Sequence, residues 1–123
     1  MFKRRSKFNK YNAKRIDGFP SMLERSVFMI LLARERDGEL TNIKRQQRVV
    51  LQDGDKDVLI AWKVDFSAEV VATKETIYIE SKGIETNDYV LKLKLWRKNP
   101  PATLEIWKGS HAKPYLHERI EKK

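Results

Sequence analysis

Three carboxylates and one lysine stand where this chain could do chemistry: Glu24, Asp65, Glu80 and Lys82. Glu80 and Lys82 lie in Ile77-Tyr78-Ile79-Glu80-Ser81-Lys82-Gly83. That pattern reads as a strand, so the two side chains share one face. Asp65 falls in the alternating run 58–72, and a hairpin between the two runs lays it beside that pair. A helix packed across the sheet brings Glu24 in from above. Carboxylates grouped in this way repel one another unless a divalent cation neutralises them. They are also the hard oxygen ligands of Mg²⁺, which takes one or two of them with water and substrate phosphate. A nearby ammonium orients or activates an attacking water and stabilises charge on the phosphate. The combination outlines a phosphodiester-hydrolysing site.

Each member also has a plainer reading. Glu24 stands three residues after Ser21, the spacing of a capping box, and its role there can be complete. It shares a stripe with Val27, Phe28 and Leu31, where a carboxylate without a purpose would be costly. Asp65 shares its strand face with Lys63, Ser67 and Glu69, which fits a solvated surface. Glu-x-Lys recurs at Glu121–Lys123 in a polar tail; what separates Glu80–Lys82 is its place after an apolar β-rich triplet and before Gly83. His111 and His117 are lone histidines in that tail and read as surface residues rather than metal ligands.

The elements that must position these groups follow from periodicity. Gly18-Phe19-Pro20 precedes a helix capped by Ser21, with apolar Leu23, Val27, Ile30 and Leu31, stopping at Asp37-Gly38. Arg45–Gln52 reads as a strand ending at the turn Asp53-Gly54-Asp55. Residues 58–72 read as a long strand with Ile60, Trp62, Val64, Phe66, Ala68 and Val70 alternating. Thr73-Lys74-Glu75 turns the chain into a strand at Thr76–Lys82. Residues 88–98 fit either period: Leu91, Leu93 and Leu95 alternate, while Tyr89, Lys92, Leu93 and Trp96 share a helical face. Pro100-Pro101 ends this segment, Thr103–Trp107 is a short strand, and the rest reads as a polar tail with a last helical turn or two from Tyr115.

Charge divides the chain unevenly. It has 123 residues, 26 basic and 17 acidic, for a net charge of +9. That length holds about one domain. Residues 1–16 carry Lys3, Arg4, Arg5, Lys7, Lys10, Lys14 and Arg15 and no acid. Such a segment buries too little to fold alone, and residues 1–17 read as a flexible basic arm that contacts DNA phosphates. The core spans 18–110 and the tail 111–123. The 41% apolar content excludes a wholly disordered chain, and the lack of cysteine excludes disulfide scaffolds and thiolate chemistry. The longest apolar run, Val27–Ala33, is far short of the ~20 residues of a membrane span. With no secretory signal visible, the expectation is a soluble, cytoplasmic protein with no membrane partner.

Ser-Met-Leu-Glu at 21–24, Val-Asp-Phe at 64–66 and Ile-Tyr-Ile-Glu-Ser-Lys-Gly at 77–83 resemble the PD-(D/E)xK nuclease superfamily. Within it the chain is similar to small phage Holliday-junction-resolving endonucleases of the endonuclease I type. Lys10-Tyr11-Asn12-Ala13-Lys14, the spacing to Glu24, and Trp107-Lys108-Gly109-Ser110 carry that narrower likeness. Val64 stands where the superfamily's name has proline. The resemblance implies an α/β, restriction-endonuclease-like αβββαβ core with a mixed central sheet, and favours helix at 88–98. It implies that Asp65 and Glu80 bind Mg²⁺ (with Mn²⁺ able to substitute), the Ser81 carbonyl being a further ligand. Glu24 completes a second metal site and Lys82 is the catalytic lysine. It also implies a homodimer with exchanged elements, in which Glu24 acts on the partner's site, and a role in DNA recombination.

The leading expectation is a Mg²⁺-dependent endonuclease for branched DNA such as a four-way junction, leaving a 5′-phosphate as the resemblance implies. Two others stand beside it: a nicking endonuclease of the mismatch or transposon-end type, and a non-catalytic, basic nucleic-acid-binding accessory protein.

Overall fold

The computed structural model describes residues 18–52 and 59–122. The basic arm with Lys3, Arg4, Arg5, Lys7, Lys10, Lys14 and Arg15, and the Asp53-Gly54-Asp55 turn, lie outside the described residues. Helix α1 runs from Met22 to Arg36, and the Ser21 hydroxyl accepts from the Glu24 N–H at 3.0 Å. It stops at Asp37, and Gly38 follows at φ +80°, the left-handed turn that glycine makes without a Cβ clash. Strands β1 (Leu40–Gln52), β2 (Leu59–Val70) and β3 (Thr76–Ser81) follow. Helix α2 (Asn87–Lys98), β4 (Thr103–Gly109) and β5 (Pro114–Ile120) complete the order.

The result is a mixed α/β fold with one five-stranded sheet in the order β1-β2-β3-β4-β5. All neighbours are antiparallel except β3 and β4, which are parallel. A parallel pair cannot be closed by a tight turn, and α2 is the crossover that joins them. The ambiguous segment is therefore helical. Its N-cap is Thr86, whose hydroxyl accepts from the Tyr89 N–H.

Two departures from the expected order have physical causes. β1 begins at Leu40 rather than Arg45, because Leu40, Thr41 and Lys44 already pair with β2, around a bulge between Thr41 and Lys44. The segment that reads as a tail, with helical turns from Tyr115, is a fifth strand, so the order is αβββαββ. Gly109 at φ +102° leads into the connection, where a Cβ would come within 2.5 Å of the Lys113 carbonyl oxygen. Ile120 is buried opposite Leu104, and Arg119 lies opposite Glu105.

The apolar side chains form two clusters. Trp62, Val64, Tyr89, Trp96, Leu104 and Ile106 gather under α2, with Trp62 edge-on to both Tyr89 and Trp96. Phe19, Val27, Leu31, Leu40, Phe66, Ala68, Ile77 and Ile79 gather under α1. The alternating residues of β2 supply both clusters, changing from Val64 to Phe66 across Asp65. The β2–β3 ladder runs from Glu69–Thr76 to Phe66–Ile79. Past that pair the strands are joined by side-chain bonds from Asp65 and Glu80, so the candidate residues sit where the sheet parts.

Candidate active site

Glu80 ends the buried stretch of β3, and its Oε1 accepts the backbone N–H of Asp65 at 3.1 Å. Asp65 returns the contact one residue on. Its Oδ2 accepts from the Ser81 backbone N–H at 2.9 Å and from the Ser81 hydroxyl at 2.8 Å. Each strand thus places its acid on the other's backbone, which orients both carboxyl groups. Glu24, on the first turn of α1, is also buried. Its carboxylate feels the charge of Asp65, and its Oε2 accepts from Gln46 Nε2 at 3.1 Å. Glu24 therefore does more than complete a helix cap. It lies near Asp65 of its own chain.

Lys82 follows β3, with its ammonium 5.0 Å from the centroid of the Tyr89 ring. Its charge acts on both Asp65 and Glu80. Arg45 supplies the other nearby positive charge. It lies over the Phe19 ring at 3.8 Å, holds the Gly18 carbonyl at 2.9 Å, and its charge is felt by Glu24.

The electrostatic consequence is strong. Burial first, and then the charge of Asp65, raise the Glu24 carboxyl to about 7 against the smaller opposing effects of Arg45 and Gln46. Burial and Asp65 likewise push Glu80 up to about 8, with Lys82 opposing. Burial raises Asp65 as well, held back by its bonds from Ser81. Groups that crowd negative charge in a dry site behave in this way.

Glu105 is a buried acid in a different setting. It is only 2% exposed, yet its two oxygens accept from Arg34, Arg119 and the Trp107 indole. Two guanidinium groups complete a structural ion cluster there. Around Glu24, Asp65 and Glu80, three acids face fewer cations. An oxygen-only donor set with mutual repulsion is of the type that a hard divalent cation such as Mg²⁺ relieves. Among the described residues, no group of three or more His, Cys, Asp or Glu side chains is arranged so as to hold a metal ion. One oxygen of each acid is instead turned to a protein donor, to Gln46, Ser81 or the Asp65 N–H.

Sequence reasoning missed Gln46, Arg45 and Glu105. Polar residues of a strand carry no signal for which of them will meet a helix glutamate, and Glu105 looks like any acid between apolar neighbours. For Ser81 the resemblance implies a role through the carbonyl; its N–H and hydroxyl are the groups seen to orient Asp65. The Tyr89 hydroxyl is buried with no hydrogen-bond partner among the described residues. Both tail histidines are exposed, His111 on the loop before β5 and His117 on that strand.

No family model matches the chain, and no curated protein matches it. Among solved structures, one likeness is to the crystal structure of a protein designated SSO0001, at 11% identity and a TM-score of 0.40. The match covers 79% of this chain and 48% of that one, so this chain spans about half the length of that protein. A likeness at that score carries no argument about fold family or function. No helix among the described residues is long and apolar enough to cross a membrane.

Proposed function

We propose that the protein is a Mg²⁺-dependent endonuclease that hydrolyses DNA phosphodiesters at branched structures, on a restriction-endonuclease-like core. The observation that carries this reading is the convergence of Glu24, Asp65, Glu80 and Lys82, from three separate elements, at the point where β2 and β3 part. Asp65, Glu80 and Glu24 would hold the metal, which when bound supplies charge neutralisation and Lewis-acid polarisation of a phosphoryl oxygen. Ser81 keeps Asp65 oriented through two donors. The Lys82 ammonium, next to the acids, orients the attacking water and stabilises negative charge as the phosphate is attacked.

Substrate binding falls to the basic arm. It joins the described fold at Gly18, whose carbonyl is held by Arg45, and the Arg45 charge reaches Glu24. The arm's cations are proposed to hold phosphates flanking the scissile one. Cutting both strands of a symmetric junction calls for two facing sites, and hence a C2 homodimer.

Cleavage rates on a four-way junction and on a linear duplex of matched sequence test the substrate. Faster paired nicking of the junction supports the proposal, and equal rates would move the reading to a nicking endonuclease. A Glu80→Gln protein that keeps wild-type activity would return the acids to surface chemistry and leave a DNA-binding accessory protein.

A further inference from the structure

β1 holds a strained residue beside the acids. Gln46 has φ +55°, a left-handed backbone that an unbranched L residue adopts at a cost and that glycine adopts freely. The β1–β2 register pairs Arg45 with Phe66 and Gln47 with Val64, so Gln46 stands opposite Asp65, level with the candidate site. The side chain of Gln46 is directed from this kink to Glu24, donating to Oε2 at 3.1 Å. Strain of this sort persists only where something over-determines it, and it gathers at functional sites.

From this we infer that Gln46 is a positioning residue that fixes the Glu24 carboxylate for divalent-cation binding beside Asp65. This role rests on the nuclease reading. The donor's chemistry supports it. Glu24 is 3% exposed, and a buried carboxylate needs hydrogen-bond donors. A guanidinium in that role would neutralise it, as Arg34 and Arg119 do for Glu105. An amide orients the carboxylate and leaves its charge for a cation. Outer donors that orient metal-binding carboxylates work in this way.

The test uses the full chain with Gln46→Gly and Gln46→Lys. Glycine removes the amide and suits the backbone, so Gln46→Gly should melt at or above the wild-type temperature without divalent ions. Its midpoint for Mg²⁺, followed by calorimetry without DNA, should rise about 10- to 100-fold. The midpoint for Mg²⁺-dependent cleavage should rise in parallel, while DNA binding without divalent ions stays unchanged. Gln46→Lys places a competing cation on Glu24 and should bind Mg²⁺ more weakly still. A Gln46→Gly protein with the wild-type Mg²⁺ midpoint would overturn the inference and leave the nuclease reading intact. A melting temperature well below wild type would also overturn it, showing that the amide holds the fold instead. Wild-type protein that binds no Mg²⁺ would sink both the inference and the reading it rests on.

Discussion

At the scale of single residues, two kinds of buried acid coexist. Glu105 is matched by two arginines, whereas Glu24, Asp65 and Glu80 crowd together with Lys82 and Arg45 at their edge. The crowding of the three acids predicts a response to pH. Glu24 and Glu80 titrate near 7 and 8 in the fold and near the ordinary 4.5 when unfolded. Between those limits the native state holds more protons than the unfolded one, so stability falls as pH rises. Their contribution is full below about pH 4.5 and lost by about pH 8. Melting temperature without divalent ions should therefore drop from pH 5 to pH 8.5, and Mg²⁺ added at pH 8.5 should restore part of it. Glu80→Gln should flatten the profile; a mutant as steep as wild type would show that Glu80 is not the group responsible. Lys82→Ala tests the ammonium's proposed role: cleavage should fall about 10²–10³-fold. DNA binding in Ca²⁺ should hold, and equal loss of binding would make Lys82 a phosphate contact.

Among the elements, β5 carries the clearest structural prediction. Ile120 closes the cluster under α2, and Arg119 is one of two guanidinium partners of buried Glu105. Arg119→Ala leaves that acid short of a donor and should cost about 1–3 kcal/mol. Ile120→Ala should cost about 2–3 kcal/mol, the low end for such a truncation because the site lies at the sheet's edge. Denaturant midpoints check both, and unchanged midpoints would mean that residues 114–120 are a dispensable tail after all. The strand was illegible because only Ile120 of its seven residues is buried; its pairing comes from the open edge of β4, not from its own pattern. The runs around Asp65 and Glu80, in contrast, read as strands, and a hairpin between them put both acids at neighbouring positions. The Ser21–Glu24 spacing gave the start of α1 in the same direct way. Gln46 was hidden because its left-handed backbone is set by the partner strand and the helix, which leave no local trace.

For the molecule as a whole, charge separates into two tasks. Of the net +9, residues 1–16 contribute seven positive charges, and residues 17–123 hold 19 basic and 17 acidic groups. The acids of the core cannot attract DNA; under the proposed function the arm must do so. Deleting residues 1–15 should weaken DNA binding and flatten its salt dependence by roughly 0.9 log units for each phosphate no longer neutralised. Circular dichroism should show the core still folded, since Phe19 is buried and Gly18 is held by Arg45. An unchanged salt slope would remove the arm from the interface.

The central claim is that the acids at the parting of β2 and β3 drive metal-dependent cleavage. Its most direct test follows a labelled four-way DNA junction with Mg²⁺, using wild type and Asp65→Asn side by side, with binding measured in Ca²⁺. Paired nicks near the branch are predicted for wild type alone, with the mutant still bound to the junction. Tight binding with no cutting by either protein would contradict the claim.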